Sequence, residues 1–295
     1  MKLPLKITIV SLLGTAVVAA FWVLIRGNGF DVLQPAGVIA DQQKDLIVTA
    51  SLLSIIVIVP VFLMTFWIVW KYRVSQSKPG VYKPNWASSK IAEAVWWGIP
   101  IILIFILGII IWVSSHQLDP YRKLESTKTP LKIQVIAMDW KWLFIYPEQR
   151  VASVNFVQIP VDRPINFELT SDAPMTSFWI PKLGGQVYAM SGMSTRLHLE
   201  AHTPGDYTGR NANISGEGYA GMTFTVRAGS DSDFSKWAST AATQQALTLE
   251  GYKELAKPSQ NVPPRQYHLG AQDLYDTVVM KYMMPSHDHE EHHHE

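Results

Sequence analysis

The 295-residue chain contains no cysteine. That absence excludes disulfides, a cysteine nucleophile, metal centres held by thiolates, and a lipid anchor built on a cysteine behind a leader. An exported domain of this chain must therefore be stabilised by its core alone. Charge is scarce as well. Asp, Glu, Lys and Arg supply 17% of the residues, against roughly 25% in soluble proteins, so part of the chain is too apolar to sit in water. The formal net charge of +1 argues neither for nor against nucleic acid, and no basic cluster appears outside one short connector.

The apolar residues are concentrated. From Leu46 to Trp70, and again from Ala94 to Ser115, no charged residue interrupts the run, and each run meets the roughly 20 residues that cross a hydrocarbon core as a helix. Neither has the polar stripe of a helix buried in a soluble protein. Both are read as membrane spans, about 46–70 and 94–115, of a hairpin covering residues 27–116. The connector carries Lys71, Arg73, Lys78, Lys83 and Lys90 with no acid, whereas Asp31, Asp41, Lys44 and Asp45 precede the first span. Bases favour the cytoplasmic side, so everything after about His116 is expected outside, in the periplasm of a bacterium with the spans in its inner membrane. Trp67, Trp70, Tyr72, Trp96, Trp97 and Trp112 fit interfacial aromatic belts. Lys2 and Lys6 before the apolar run Ile7 to Ile25, with small residues at Val18-Ala-Ala20, read as a signal peptide over residues 1–26; a retained third span is the alternative.

After a linker, Leu118-Asp-Pro-Tyr-Arg-Lys, the period changes to two: Ile133, Val135 and Ala137; Ile165, Phe167 and Leu169; Leu197 and Leu199; Met222, Phe224 and Val226. Short alternating runs between Pro, Gly, Asp and Ser turns predict an antiparallel β-sandwich over residues 117–230. Beyond it, residues 231–285 read as a helical extension: an amphipathic turn at Asp233 to Trp237, a helix from Thr248 to Lys257 before Pro258, and another from Ala271 to Met284 before Pro285. The tail, residues 286–295, holds five of the nine histidines and has the composition of a disordered terminus. His198 and His202 lie about 13 Å apart if both are on one strand, too far for one ion, and His198 with Glu200 reads as a solvated strand face.

The hairpin, the run Asp139-Trp-Lys-Trp-Leu-Phe-Ile-Tyr146, the segment Phe178-Trp-Ile-Pro-Lys-Leu-Gly-Gly-Gln-Val-Tyr-Ala-Met190 and the string Gly192-Met-Ser-Thr-Arg-Leu197, taken in this order, resemble subunit II of bo-type ubiquinol oxidases. These form the copper-free branch of the cytochrome oxidase second subunits, and the similarity runs from about Gly27 to Pro285. The resemblance implies a membrane-anchored all-β protein: a two-helix hairpin, then a cupredoxin-like Greek-key sandwich with C-terminal helices. It also implies a site without its metal. Asn211-Ala-Asn-Ile-Ser-Gly-Glu-Gly-Tyr-Ala-Gly-Met222 resembles the frame of the C-x-E-x-C-x3-H-x2-M loop that holds two coppers in the copper-bearing relatives. Asn211 and Ser215 stand at the thiolate positions, Asn213 at the Glu, Tyr219 at one His and Thr176 at the other, and only Met222 is retained.

A subunit of this kind has no cofactor of its own. By the same resemblance, the haems and one copper are expected on subunit I, with further membrane subunits beside it, ubiquinol as the substrate, the bilayer as the other partner, and neither cytochrome c nor nucleic acid bound. The complex would reduce dioxygen to water and pump protons. Trp140 and Trp142 are expected to pack against subunit I and the membrane surface. Glu93 stands where the family places a carboxylate at the mouth of a proton-uptake channel. Its competing reading is a first-turn Glu stabilised by the helix dipole. A different class, a membrane-anchored periplasmic binding or sensor protein with a metal-free sandwich, is the alternative, and co-purification with a haem-bearing partner discriminates the two.

Overall fold

The structure, a computed structural model, describes residues 30–73 and 88–283. The N-terminal segment 1–26, Lys78 and Lys83 of the connector, and the His-rich tail 286–295 lie outside the described residues. The chain divides into two units, Gln42–Asp119 and the remainder.

The first unit is built on two helices, α1 (Val38–Lys71), whose first turn belongs to the other unit, and α2 (Lys90–Gln117). Both are long and apolar enough to cross a membrane, and among the described residues nothing buries their apolar stretches. At 34 residues, α1 is about 51 Å long and overshoots a hydrocarbon core of about 30 Å. Its first two turns, with Asp41, Lys44 and Asp45, precede the uncharged run. Three hydroxyls inside the span bond to their own helix: those of Ser51, Ser54 and Thr65 donate to the carbonyls of Ile47, Ala50 and Val61, one turn back. At its end, Lys71 Nζ lies 4.4 Å from the Trp67 ring and Arg73 Cζ 4.8 Å from that of Trp70, cation–π pairs suited to an interface. Ser89 caps α2, its hydroxyl accepting from the Ala92 amide.

The second unit is a sandwich. Its strands are β1 (Leu131–Met138), β2 (Lys141–Tyr146), β3 (Val151–Val154), β4 (Phe156–Pro160), β5 (Ile165–Ser171), β6 (Thr176–Trp179), β7 (Gln186–Ala189), β8 (Thr195–Leu199), β9 (Gly205–Asn211), β10 (Thr223–Gly229), β11 (Ala246–Leu247) and β12 (Arg265–Leu269). The helices beyond the sandwich are α3 (Asp231–Ala242), α4 (Leu249–Ala256) and α5 (Leu274–Lys281). One sheet runs β11-β12-β3-β2-β1-β5-β8 and the other β4-β10-β9-β6-β7. The sheets are mixed, not purely antiparallel as the alternation predicted: β1 pairs parallel with β5, and β4 with β10. The pairing of β4 begins at Asn155, where the chain changes sheets. This residue adopts φ 53°, a left-handed conformation that Asn tolerates better than most residues. Its carboxamide accepts from the Trp142 amide and donates to the Val262 carbonyl. The turn carries β4 away from β3 into the second sheet, beside β10.

The extension contains more than helices. It adds β11 and β12 to the edge of the larger sheet, β12 pairing antiparallel with β3. Two of its helices, α4 and α5, cover that sheet's outer face, where Ile136, Met138, Leu143 and Ile145 meet Tyr252, Leu274, Tyr275 and Val278. The larger sheet is therefore the middle of three layers. Every residue of β2 is buried, as expected for a strand with no solvent face. The inner face holds an aromatic cluster, with Trp142, Phe144, Phe178 and Phe224 at centroid separations of 5.1–6.3 Å, within the range of favourable ring pairs. Trp142 is thus a core residue, which corrects the surface-packing role expected for it: its ring lies on the inner side of a doubly covered sheet. Residues 30–41 are tied to the sandwich by an antiparallel bridge between Gly37 and Ala201. A side chain at Gly37 would run into the Glu200 carbonyl, so the close approach requires glycine there.

Candidate functional site

The loop between β9 and β10, Asn211 to Met222, is where the sequence placed its vacated metal site. The structure brings the side chains of three of the six named positions, Asn211, Ser215 and Met222, into contact. Asn211, at the end of β9, is 3% exposed. Its Oδ1 accepts from the amides of Ser177 at 2.9 Å and Asn213 at 3.0 Å, and its Nδ2 donates to Ser215 Oγ at 2.9 Å and Met222 Sδ at 3.5 Å. The Asn211 amide also bonds the Met222 carbonyl, and the Ala212 amide the Ser177 carbonyl. Asn213 points elsewhere, its carboxamide donating to the Met175 carbonyl. Thr176 is buried on β6, and its hydroxyl finds no partner among the described residues. Tyr219 opens a single 3-10 turn through its backbone.

This donor set does not fit a copper pair. It offers two carboxamides, two hydroxyls, a phenol and one thioether, with no thiolate or imidazole among them, and bridged copper requires soft anionic ligands. Among the described residues no group of three or more His, Asp or Glu side chains converges anywhere. No chemical step passes through a metal at this loop.

Trp140 lies over the loop. It occupies the two-residue turn between β1 and β2, with φ 60°, a conformation that costs a bulky residue about 1–2 kcal/mol. Its indole Nε1–H donates to the Ser215 carbonyl at 3.0 Å, and its ring rests so closely on Gly218 that any side chain there would collide with it.

Two buried ionic side chains hold the C-terminal segment, and neither was singled out from the sequence. The Lys141 ammonium donates to the Lys257 carbonyl and Ser259 hydroxyl at 2.7 Å each, and to the Asp139 carbonyl at 3.4 Å. It thereby ties the C-cap of α4 to the β1–β2 turn. Burial holds its pKa below the usual lysine range, against the pull of Asp139. Asp172, in the turn after β5, has a carboxylate 3% exposed that accepts from Tyr252 at 2.7 Å, Lys281 at 2.6 Å and Tyr282 at 2.7 Å. Burial raises its pKa, but these donors outweigh that effect and hold it below the ordinary aspartate value. The signal available in the sequence was weak: Ser171-Asp-Ala-Pro reads as a turn, and a lysine in an alternating strand reads as solvent-facing.

The remaining named residues stand apart from this loop. Glu93 lies in the first turn of α2, its amide bonded to the Ser89 carbonyl at 2.9 Å. His198 is 7% exposed, and its Nδ1 lies 3.0 Å from the Pro120 carbonyl. This corrects the solvated strand face expected for it, because the linker after the hairpin folds over β8. His202 instead reaches Asp41, at 2.7 Å.

Residues 241–286 match the COX Aromatic Rich Motif family. They span the segment that carries Tyr252, Lys257, Lys281 and Tyr282. The chain is 45% identical over 88% of its length to the cytochrome bo(3) ubiquinol oxidase subunit 2 of Pseudomonas aeruginosa, covering 78% of that protein. It is 42% identical, again over 88% of its length, to the ubiquinol oxidase subunit 2 of Acetobacter aceti, covering 85% of it. The chain belongs to the ubiquinol oxidase subunit 2 family. It is thus a membrane-anchored subunit of an oxidoreductase complex, and its architecture is the helix pair, sandwich and C-terminal helices that the resemblance implied. The periplasmic domain of cytochrome oxidase subunit II from Bradyrhizobium japonicum aligns over 96% of its own length and 39% of this chain, at 23% identity and a TM-score of 0.37.

Proposed function

We propose that this ubiquinol oxidase subunit carries no electrons. In this reading it serves a complex that oxidises ubiquinol, reduces dioxygen to water and pumps protons, with the haems and one copper on subunit I. The observation that carries it is the loop at 211–222, whose donor set suits hydrogen bonding and not copper, in a chain whose relatives are named for a quinol substrate. A protein donor outside the membrane needs a relay through the external domain, whereas a quinol reaches subunit I from within the bilayer. The bases Lys71, Arg73 and Lys90 at the connector ends, with Lys78 and Lys83 between them, support a cytoplasmic connector and a periplasmic sandwich on the inner membrane of a bacterium.

Glu93 is assigned the mouth of proton uptake. It stands in the first turn of α2, at the connector end, where a carboxylate collects and releases protons. The test is oxygen consumption by the assembled complex at saturating quinol. Glu93→Gln is expected to slow turnover without loss of assembly, because the amide is nearly isosteric but does not titrate, and Glu93→Asp to keep part of the rate. An unchanged rate in the amide variant would return Glu93 to a helix-dipole role worth a few tenths of a kcal/mol.

A further inference from the structure

We infer that Asn211 is the positioning residue for Trp140: its carboxamide fixes the loop 211–222 without any metal, and the loop then fixes the indole. The geometry has three parts. First, the carboxamide is saturated. Oδ1 accepts two backbone amides and Nδ2 makes two donations, to Ser215 Oγ and Met222 Sδ, which is the full capacity of that group. Second, these four bonds join the start of β6 to the loop and draw the two ends of the loop together, from Asn211 to Met222. No other side chain of residues 211–222 shows such a set among the described residues. Third, Ser215 is held through its hydroxyl while its carbonyl receives the Trp140 indole. Trp140, half-buried and at φ 60°, is a strained residue that persists only where its surroundings over-determine it.

The consequence is a chain of dependence from Asn211 through Ser215 to Trp140. An apolar residue of similar volume at 211 would fill the space yet leave the Ser177 and Asn213 amides and the Ser215 hydroxyl without their partner. An aspartate would keep both acceptor bonds, and the Ser215 hydroxyl would turn round to donate.

The test uses the full chain in its assembled complex, with hydrogen exchange resolved to peptides and the Trp140 indole followed by labelled-tryptophan resonance. Asn211→Leu is expected to raise exchange across residues 176–178 and 211–222 by about tenfold and to shift the indole resonance, while β2 and β3 keep their protection. Asn211→Asp is expected to restore both signals toward wild type. Ser215→Ala, which removes the middle link alone, should move the indole resonance with little change at Ser177. Chelator added to the wild-type complex should change none of these. Unaltered exchange and resonance in Asn211→Leu, failure of Asn211→Asp to restore them, an unmoved indole in Ser215→Ala, or opening of the wild-type loop by chelator would each overturn the inference.

Discussion

Met222, Asn211 and Ser215 meet side chain to side chain at separations of 2.9–3.5 Å, so the positions matched to two thiolates and a thioether already converge. What the loop lacks as a metal site is ligand chemistry more than backbone shape. Thr176→His, Asn211→Cys, Ser215→Cys and Tyr219→His, added to the resident Met222, should therefore create a chain that binds two coppers with intense thiolate-to-copper absorption. Asn213→Glu is expected to be optional, since the resemblance implies ligation there through the backbone carbonyl, which any residue supplies. Visible spectroscopy and metal analysis check the outcome. A folded, colourless product, or one binding a single copper with no thiolate band, would show that the loop has been matched to the wrong residues.

At the scale of elements, the C-terminal segment is held to the sandwich by two buried charges as well as by its apolar face. Lys141 grips the end of α4, and Asp172 collects donors from α4 and from the end of α5. The sign of the pH dependence is set by Asp172. Its pKa is held below the unfolded value, so its contribution is complete above about 3.9 and disappears as pH falls through the folded value. The Lys281 ammonium is largely exposed, so solvent screens its share. Proteolysis of residues 241–283 in the purified full chain should therefore be slow at neutral pH and accelerate below about pH 4. Asp172→Asn should already be cut faster at neutral pH and show a flatter acid dependence. Identical pH profiles for the two proteins would remove Asp172 from the attachment.

At the scale of the whole molecule, two helices whose apolar stretches are left uncovered by the other described residues need lipid or a protein partner, because exposed apolar surface of that extent is unstable in water. The family to which the chain belongs is named for a subunit of an oxidase. Detergent extraction from native membranes should therefore recover the chain with a haem-bearing partner, read from the optical spectrum and from subunit composition. Recovery of the chain alone, with no haem absorbance, would favour the binding or sensor alternative.

Much of this protein was legible in its sequence because it rests on chemistry and local period. Uncharged runs of helical length set the two membrane helices, since lipid leaves the backbone no other way to satisfy itself. The lack of cysteine decided against a thiolate-bridged metal, since no other side chain supplies soft anionic sulfur. Alternation found the strands of the sandwich. Tertiary structure alone decided the rest. Burial of both faces of β2 hid the inward direction of Trp142 and made Lys141 an internal anchor, because alternation marks a face only when one side meets water. The parallel pairing of β4 with β10 follows a sheet change at one left-handed residue, Asn155, and long-range pairing leaves no local period. His198 became buried because a linker 78 residues away in sequence folds over it. The role of Asn211 depends on four partners, one on β6 and three within its own loop, a convergence that only folding creates.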